Sequence, residues 1–544
     1  MTNDPNSASA VLDSAHEGDI QGALGTIARG DVAPRTRTSM RLRTLLAIIG
    51  PGLIVMVGDN DAGAFGTYTQ AGQNYGTSML WTLLLLVPVL YVNQEMVLRL
   101  GAVTGVGHAR LILERYGKFW GAFSVIDLFV LNALTIVTEF IGISLGLSYL
   151  GLPKIPGVIV AALLVVAAVS TGSFRKFERI CLFLIAGSLT LIPIALALHP
   201  PVTQIAHDFL VPGMPHGSQL STVMLLIIAI VGTTVAPWQL FFQQSYIIDK
   251  RITPRFIRYE RVDLWLGIVI VIFGAGAMMA FSTAAFAGTP GQGHFTNAAG
   301  VAAGLAAAAG HWAGILFAIA LIDACIIGAA AVGLSTSYAL GDVLGLHHSL
   351  HRRPSEAKAF YAIFYGLLVA SAVIVIIPGS PLGLLTEGVQ TLAGVLLPSA
   401  TVFLLLLCND RGVLGPWVNG RRLNVFSGVV IAILVMLSTV LTASVLFPAI
   451  TSAQIVGIFM TGTVLTVLAG TYLALAARQR SRGQVKQVEE ASLDRATWRM
   501  PPLALMSRPT LSAGNRTGLL VLRSYLLVAS ALVVVKVVQL ALGH

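Results

Sequence analysis

The residues best placed to do chemistry are two aspartates lying two positions apart in an apolar stretch, Gly52-Leu-Ile-Val-Met-Val-Gly58-Asp59-Asn60-Asp61-Ala62-Gly63-Ala64-Phe65. An unbroken membrane helix here would carry two carboxylates to mid-bilayer depth. Charges at that depth cost at least a few kcal/mol, so they are rare and mark function. Glycine is a poor helix former, and glycines flank the acidic pair. The reading is a broken helix, two half-helices joined by unwound backbone whose carbonyls face a cavity. Asp61 is the candidate cation ligand. For Asp59 two readings stand, ligand or structural partner of a neighbouring helix.

A second interruption, Gly232-Thr233-Thr234-Val235-Ala236-Pro237-Trp238-Gln239, lies in a later apolar run. Proline removes a backbone donor and breaks the helical ladder, while two threonines and a glutamine put polar groups beside the break. Interrupted helices at matching positions of two halves point to a central binding site.

Composition fixes the class that must position these residues. The chain has 544 residues, 56% hydrophobic and 11% charged, with a mean hydropathy of +0.82. Soluble domains carry about 25% charged residues, so this is a polytopic membrane protein with the lipid bilayer as its surroundings. The net charge of +10 comes from short basic clusters between apolar runs, as in cytoplasmic loops, and implies no nucleic acid. Cys181, Cys325 and Cys408 have no metal-ligand or disulfide spacing. No nucleophile motif or histidine cluster suggests an enzyme, and neither a cofactor nor an obligate protein partner is expected.

Apolar spans are expected at roughly 44–73, 79–100, 122–150, 156–172, 178–199, 221–247, 262–287, 312–341, 359–378, 384–408, 424–448 and 452–477, each near the roughly 20 residues a crossing needs. Basic residues follow every even-numbered span, from Arg99, Arg110, Arg115 and Lys118 after the second to Arg478, Arg480 and Arg482 after the twelfth. Residues 200–220 and 288–311 have no Lys or Arg. By the positive-inside rule the N-terminus is cytoplasmic, in a plasma or inner membrane. Span 1 then runs outward and span 6 inward, as two inverted five-helix repeats require. The expected division is a mobile cytoplasmic tail (1–43) without a cleavable signal peptide, a ten-helix core (44–410), two added helices (411–477), a basic cytoplasmic linker (478–516) and a C-terminal helix, spanning or interfacial (517–544).

Spans 1 and 6 resemble the Nramp family of divalent-metal transporters, which have the LeuT-like fold. The family's Asp-Pro-Gly-Asn followed by Gln-Ala-Gly is matched by Asp61-Ala62-Gly63-Ala64 and Gln70-Ala71-Gly72, and its Gly-x-Thr-Val-Met-Pro-His by Gly232 to Trp238. Arg99-Leu-Gly-Ala-Val-Thr-Gly105 and Glu139-Phe-Ile-Gly142 add support, and the likeness covers roughly 44–410. It implies an all-α, LeuT-like 5+5 inverted repeat with broken helices 1 and 6, plus extra C-terminal helices.

The resemblance also implies a site. Asp61 keeps the family's ligand, Gly58 and Thr233 match carbonyl-donating positions, and Glu387 falls near a polar ligand position. The side-chain ligands Asn and Met are replaced by Ala64 and Ala236. Soft ligands favour transition metals and all-oxygen sites suit magnesium, calcium or manganese, and magnesium usually keeps several waters. The pattern resembles the Nramp-related magnesium branch. It implies uptake of partly hydrated Mg2+, with Mn2+ an open addition, and water-mediated roles for Gln239, Gln243 and Gln390, each of which has interhelical hydrogen bonding as its other reading. The family's proton route is altered: its histidine is Trp238, an acidic position is Ile136, and Glu139 remains. Uncoupled transport is expected, with a proton-coupled Mn2+/Fe2+ importer as the alternative. Asp127 and Asp323 lie inside spans, with Asp323 the better candidate for the ion path. Asp342 and Glu95 lie at cytoplasmic ends, solvated or paired with arginines, and His347, His348 and His351 are expected to be solvated.

Overall fold

The structure, a computed structural model, describes residues 14–215, 219–377, 382–447, 450–483 and 495–506, with isolated positions beyond. After a two-stranded hairpin, β1 (Ile20–Gln21) and β2 (Thr26–Ile27), span 1 is built from α1 (Thr38–Ile48), α2 (Pro51–Val57) and α3 (Ala62–Tyr75). Span 2 is α4 (Leu80–Thr104). An amphipathic α5 (His108–Tyr116) leads into span 3, α6 (Lys118–Tyr149), and span 4, α7 (Lys154–Val169). Span 5 is α8 (Phe174–Gly187) and α9 (Leu191–Leu198), joined by a 3-10 turn. After α10 (Val202–Leu210), span 6 is α11 (Leu220–Thr234) and α12 (Pro237–Asp249), and span 7 is α13 (Ile257–Phe286). Past α14 (Ala298–Ala309), span 8 is α15 (His311–Leu344), span 9 is α16 (Lys358–Ile376) and span 10 is α17 (Leu382–Cys408). A short α18 (Arg411–Leu414) leads to spans 11 and 12, α19 (Arg421–Leu446) and α20 (Ser452–Gly483).

Each of the twelve expected spans therefore corresponds to one helix, to a broken pair or, for span 1, to three helical pieces among the described residues. Both breaks fall where the sequence puts them. α2 stops at Gly58 and α3 starts after Asp61. α11 stops at Thr234, and Pro237 opens α12 in its first turn, where the missing N–H would have no intrahelical partner anyway. Span 1 also bends by 50° between α1 and α2, at Gly50, whose φ of 151° is reserved for glycine.

Buried faces explain the packing. α6 and α15 are buried along most of their length and lie together at the centre, with α13 packed on α2 and α3. Close approach depends on glycine at Gly72, where a Cβ would run into the Met279 backbone of α13. α20 is almost wholly exposed, as an outer, lipid-facing helix would be.

Three expectations change. Residues 14–37 are not a loose tail: Ile20, Ala23 and Ile27 are buried, and the hairpin is hydrogen-bonded to the ends of spans 5 and 6. Arginine–carbonyl bonds hold it, which apolar periodicity does not reveal. The 478–516 linker is helical to Gly483, and Arg499 donates to the Ala102 carbonyl at 2.7 Å. His348 is buried and bonded to Asp342 rather than solvated. Most of 517–544 lies outside the described residues.

Candidate metal-ion site

Four uncapped backbone donors begin every helix and four free acceptors end it, giving the ends opposite partial charges. The two breaks bring such ends to the middle of the molecule. The C-terminal ends of α2 and α11, rich in carbonyls, meet there with the N-terminal ends of α3 and α12.

Asp61 occupies the N-cap of α3 with extended backbone, its Oδ1 accepting from the Ala64 amide at 3.0 Å. This bond stabilises the half-helix by about 1 kcal/mol and fixes the carboxyl at the break. Asp61 is 7% exposed. Glu139 on α6 lies against it at hydrogen-bonding range and also accepts from the Ala62 amide at 3.2 Å. Two carboxylates in contact repel unless a proton or cation lies between them. The second Glu139 oxygen has no hydrogen-bond partner.

Asp59 faces another way. It accepts a hydrogen bond from Nε2 of Gln239 on α12, and its Oδ2 is buried without a partner. Gln239 also approaches the Thr234 carbonyl at 3.4 Å and accepts from Gln94 of α4 at 3.0 Å. Among the described residues, no basic side chain pairs with Asp59, Asp61 or Glu139. Three buried acids thus lie at or against the span 1 break.

The other predicted positions distribute as follows. Gly58 is the C-cap of α2, tucked between Ile327 and Trp238. Ala64 and Thr233 are buried near the breaks, and Ala236 is the partly exposed N-cap of α12. Gln243 is fully buried, and both of its amide atoms lack partners. Trp238 and Ile136 are buried apolar side chains where a proton route would need titratable ones. Glu387 and Gln390 lie on α17, but their side chains fall outside the described residues. Asp323 lies against Gly187, where span 5 is interrupted. Asp127 is only partly buried on α6.

Sequence reasoning missed Tyr68, whose hydroxyl meets the Thr234 hydroxyl at 2.7 Å and ties α3 to the end of α11. Tyr68 stands seven residues after Asp61, two helical turns along α3 and so on the same face, which is the signal that was available. No group of three or more His, Cys, Asp or Glu side chains converges as a metal cluster among the described residues. A cation here would rely on backbone carbonyls, water and few carboxylates.

Comparisons with known proteins fit this geometry. Residues 52–444 match the Nramp family, described as natural resistance-associated macrophage protein-like. A divalent metal cation transporter MntH of Ralstonia nicotianae is 30% identical over 398 residues, covering 70% of this chain and 86% of the relative. An MntH of Deinococcus radiodurans is 26% identical over 438 residues, 78% and 94% of the two chains. A solved manganese transporter of Eremococcus coleocola superposes with a TM-score of 0.61 at 19% identity, over 84% of this chain and 99% of that one. The fold is the LeuT-like one, and the chain belongs to the Nramp family.

Proposed function

We propose that the protein carries divalent metal ions across the cell membrane by alternating access, with partly hydrated Mg2+ as its main substrate and Mn2+ as a second. The observation that carries this reading is the central acid Asp61, buried at the break of span 1 without a basic partner. Ala64 and Ala236 stand where relatives of this family place side-chain ligands. Without a thioether nothing favours a soft ion, and small side chains leave room for retained water. Gly58 and Thr233 carbonyls, and water held by Gln239 and Gln243, complete the proposed shell.

Uptake is proposed to need no protons, since Trp238 and Ile136 replace titratable positions. The membrane potential supplies about 2.3 kcal/mol per charge per 100 mV, and twice that for a dication. With the basic loops inside, the N-terminus faces the cytoplasm. One observation favours the second reading, a proton-coupled Mn2+/Fe2+ importer: Glu139 still lies against Asp61.

The test is uptake into proteoliposomes loaded with a magnesium-sensitive dye, for wild type and Asp61→Ala, with Mn2+ and Ca2+ as competitors and a pH dye in parallel. Mg2+ influx lost in Asp61→Ala, with a silent pH dye, supports the reading. Mn2+ influx without Mg2+ influx, or Mg2+-driven acidification, sinks it.

A further inference from the structure

Asp59 is not explained by the site as described. Asp61 turns outward onto the amide of Ala64 and toward Glu139 of α6. Two residues earlier, Asp59 reaches across to span 6, where the Gln239 amide that donates to it also approaches the Thr234 carbonyl at the end of α11. Its carboxyl therefore lies beside the second break, on the same Gln239 amide as the Thr234 carbonyl. The two aspartates thus engage different helices, Asp59 reaching α12 and Asp61 lying against α6.

A purely structural partner for Gln239 would need no charge. An asparagine or a serine would accept the same hydrogen bond without the expense of burying a carboxylate. Asp59 is 1% exposed, and among the described residues its Oδ2 accepts nothing and no basic side chain offsets it. One helical turn beyond Gln239, Gln243 is 0% exposed with both amide atoms unpartnered, and Oε1 of Gln94 is unpartnered too. Buried polar atoms in folded proteins are nearly always satisfied by protein, water or an ion. Here such atoms lie in the span 1 break, on α4 and on α12, and Gln239 links Gln94 to Asp59.

We propose that Asp59 is a second carboxylate ligand for the transported dication, held in reserve by Gln239 and engaged as the ion passes from Asp61 toward the cytoplasmic side of the break. This inference rests on the divalent-cation reading of the site. On loading, the Gln239 amide leaves Asp59 and turns, with Gln243 and Gln94, to water on the ion. Two carboxylates favour a hard divalent ion over the monovalent ions that outnumber it. Asp59 thus adds selectivity by charge where Ala64 and Ala236 have given up selectivity by softness.

The experiment is calorimetric titration of the purified full chain with MgCl2 and MnCl2, for wild type, Asp61→Ala and Asp59→Asn, with uptake rates for the same variants. Asparagine keeps an acceptor for Gln239, so a structural role predicts affinity within twofold of wild type. The proposal expects at least a tenfold loss of affinity for both ions and a raised KM for Mg2+. If Asp59→Asn does not purify intact, carbodiimide labelling of the wild type decides. Mg2+ protecting both Asp59 and Asp61 supports the proposal, and protection of Asp61 alone overturns it. A wild type that binds neither ion defeats the transport reading itself. Binding lost in Asp61→Ala but kept in Asp59→Asn defeats only this inference.

Discussion

Lys250 and Glu178 form an ion pair 2.6 Å long in which neither side chain reaches solvent. The same ammonium donates to the carbonyls of Ile48 and Ile49, at 2.6 and 2.8 Å, where α1 ends. Asp263 of α13 accepts from the Gly50 and Gly52 amides at 3.1 and 2.7 Å, just past the bend. The inner part of span 1 is thus clamped on both its carbonyl and its amide side. Removing one partner of a buried pair costs roughly 3–5 kcal/mol. Lys250→Met should therefore lower the melting temperature markedly in detergent, and Glu178→Leu added to it should recover part of the loss. A double variant as unstable as the single one would show that the clamp's carbonyl bonds dominate.

The hairpin strap seals this clamp. The Ala23 amide donates to the second Glu178 oxygen at 2.5 Å, while Arg179 donates to the Ala23 carbonyl at 2.9 Å. Arg251 holds the Ala15 and Asp19 carbonyls, and Arg255 holds those of Asp31 and Ala33. Gly22 lies so close to the Ala47 backbone of α1 that a Cβ would collide with it. Gly22→Val should lift the strap, costing roughly 1–3 kcal/mol as overpacking does and making the Arg29 bond a site of rapid trypsin cleavage. An unchanged digestion pattern would mean the strap tolerates the added bulk.

Beneath the strap, His348 and His351 respond to pH in opposite senses. Burial works against a charge on His348, but the Asp342 carboxylate at 3.2 Å and the Leu346 carbonyl raise its pKa above the usual histidine value. Its stabilising contribution is full below the unfolded value of about 6.5 and fades as pH rises through the folded value. Burial lowers the pKa of His351, against the pull of Asp249, so its contribution is full above the unfolded value of about 6.5 and fades as pH falls through the lowered folded value. His348→Gln should cost more melting temperature at pH 5.5 than at pH 8.5, and His351→Gln less at the lower pH. Melting curves at the two pH values check both signs.

The N-cap role of Asp61 separates folding from binding. Asp61→Asn retains a side-chain oxygen for the Ala64 amide, whereas Asp61→Ala loses about 1 kcal/mol of capping. Both variants should lose Mg2+ uptake by more than tenfold, and only the alanine should melt earlier. Uptake surviving in the asparagine variant would make the carboxyl's charge dispensable.

How far these features were legible in the chain depended on range. The breaks at Gly58 to Asp61 and at Val235 to Pro237 announce themselves locally, because two acids beside glycine, and a proline beside polar residues, interrupt an apolar run. The twelve spans follow from length and apolarity. The strap does not, because its order comes from Arg251 bonding a carbonyl 236 residues away, and nothing in residues 14–33 is periodic. Asp59 and Asp61 look alike in sequence, and it is their different hydrogen-bond partners, Gln239 of α12 and the Ala64 amide, that tell them apart. The burial of His348 depends on Asp342 meeting it across the turn after α15, a pairing that spacing alone does not specify.

Ion choice is the sharpest test of the two alanines. Ala64 is fully buried beside the Asp61 carboxyl, and Ala236 is the N-cap of α12 at the facing break. Ala236→Met would place a polarizable thioether at that break, and Ala64→Asn an amide oxygen beside Asp61. A soft ligand gains more with Mn2+ or Cd2+ than with Mg2+, whose reluctance to shed water also penalises a narrower space. The double variant should therefore compete about tenfold better for Mn2+ and lose Mg2+ uptake, read in the same proteoliposomes with each ion in turn. If Mg2+ uptake and the Mn2+/Mg2+ ratio stay at wild-type levels, room and softness at these two positions do not set the preference, and the acids Asp59 and Asp61 must set it alone.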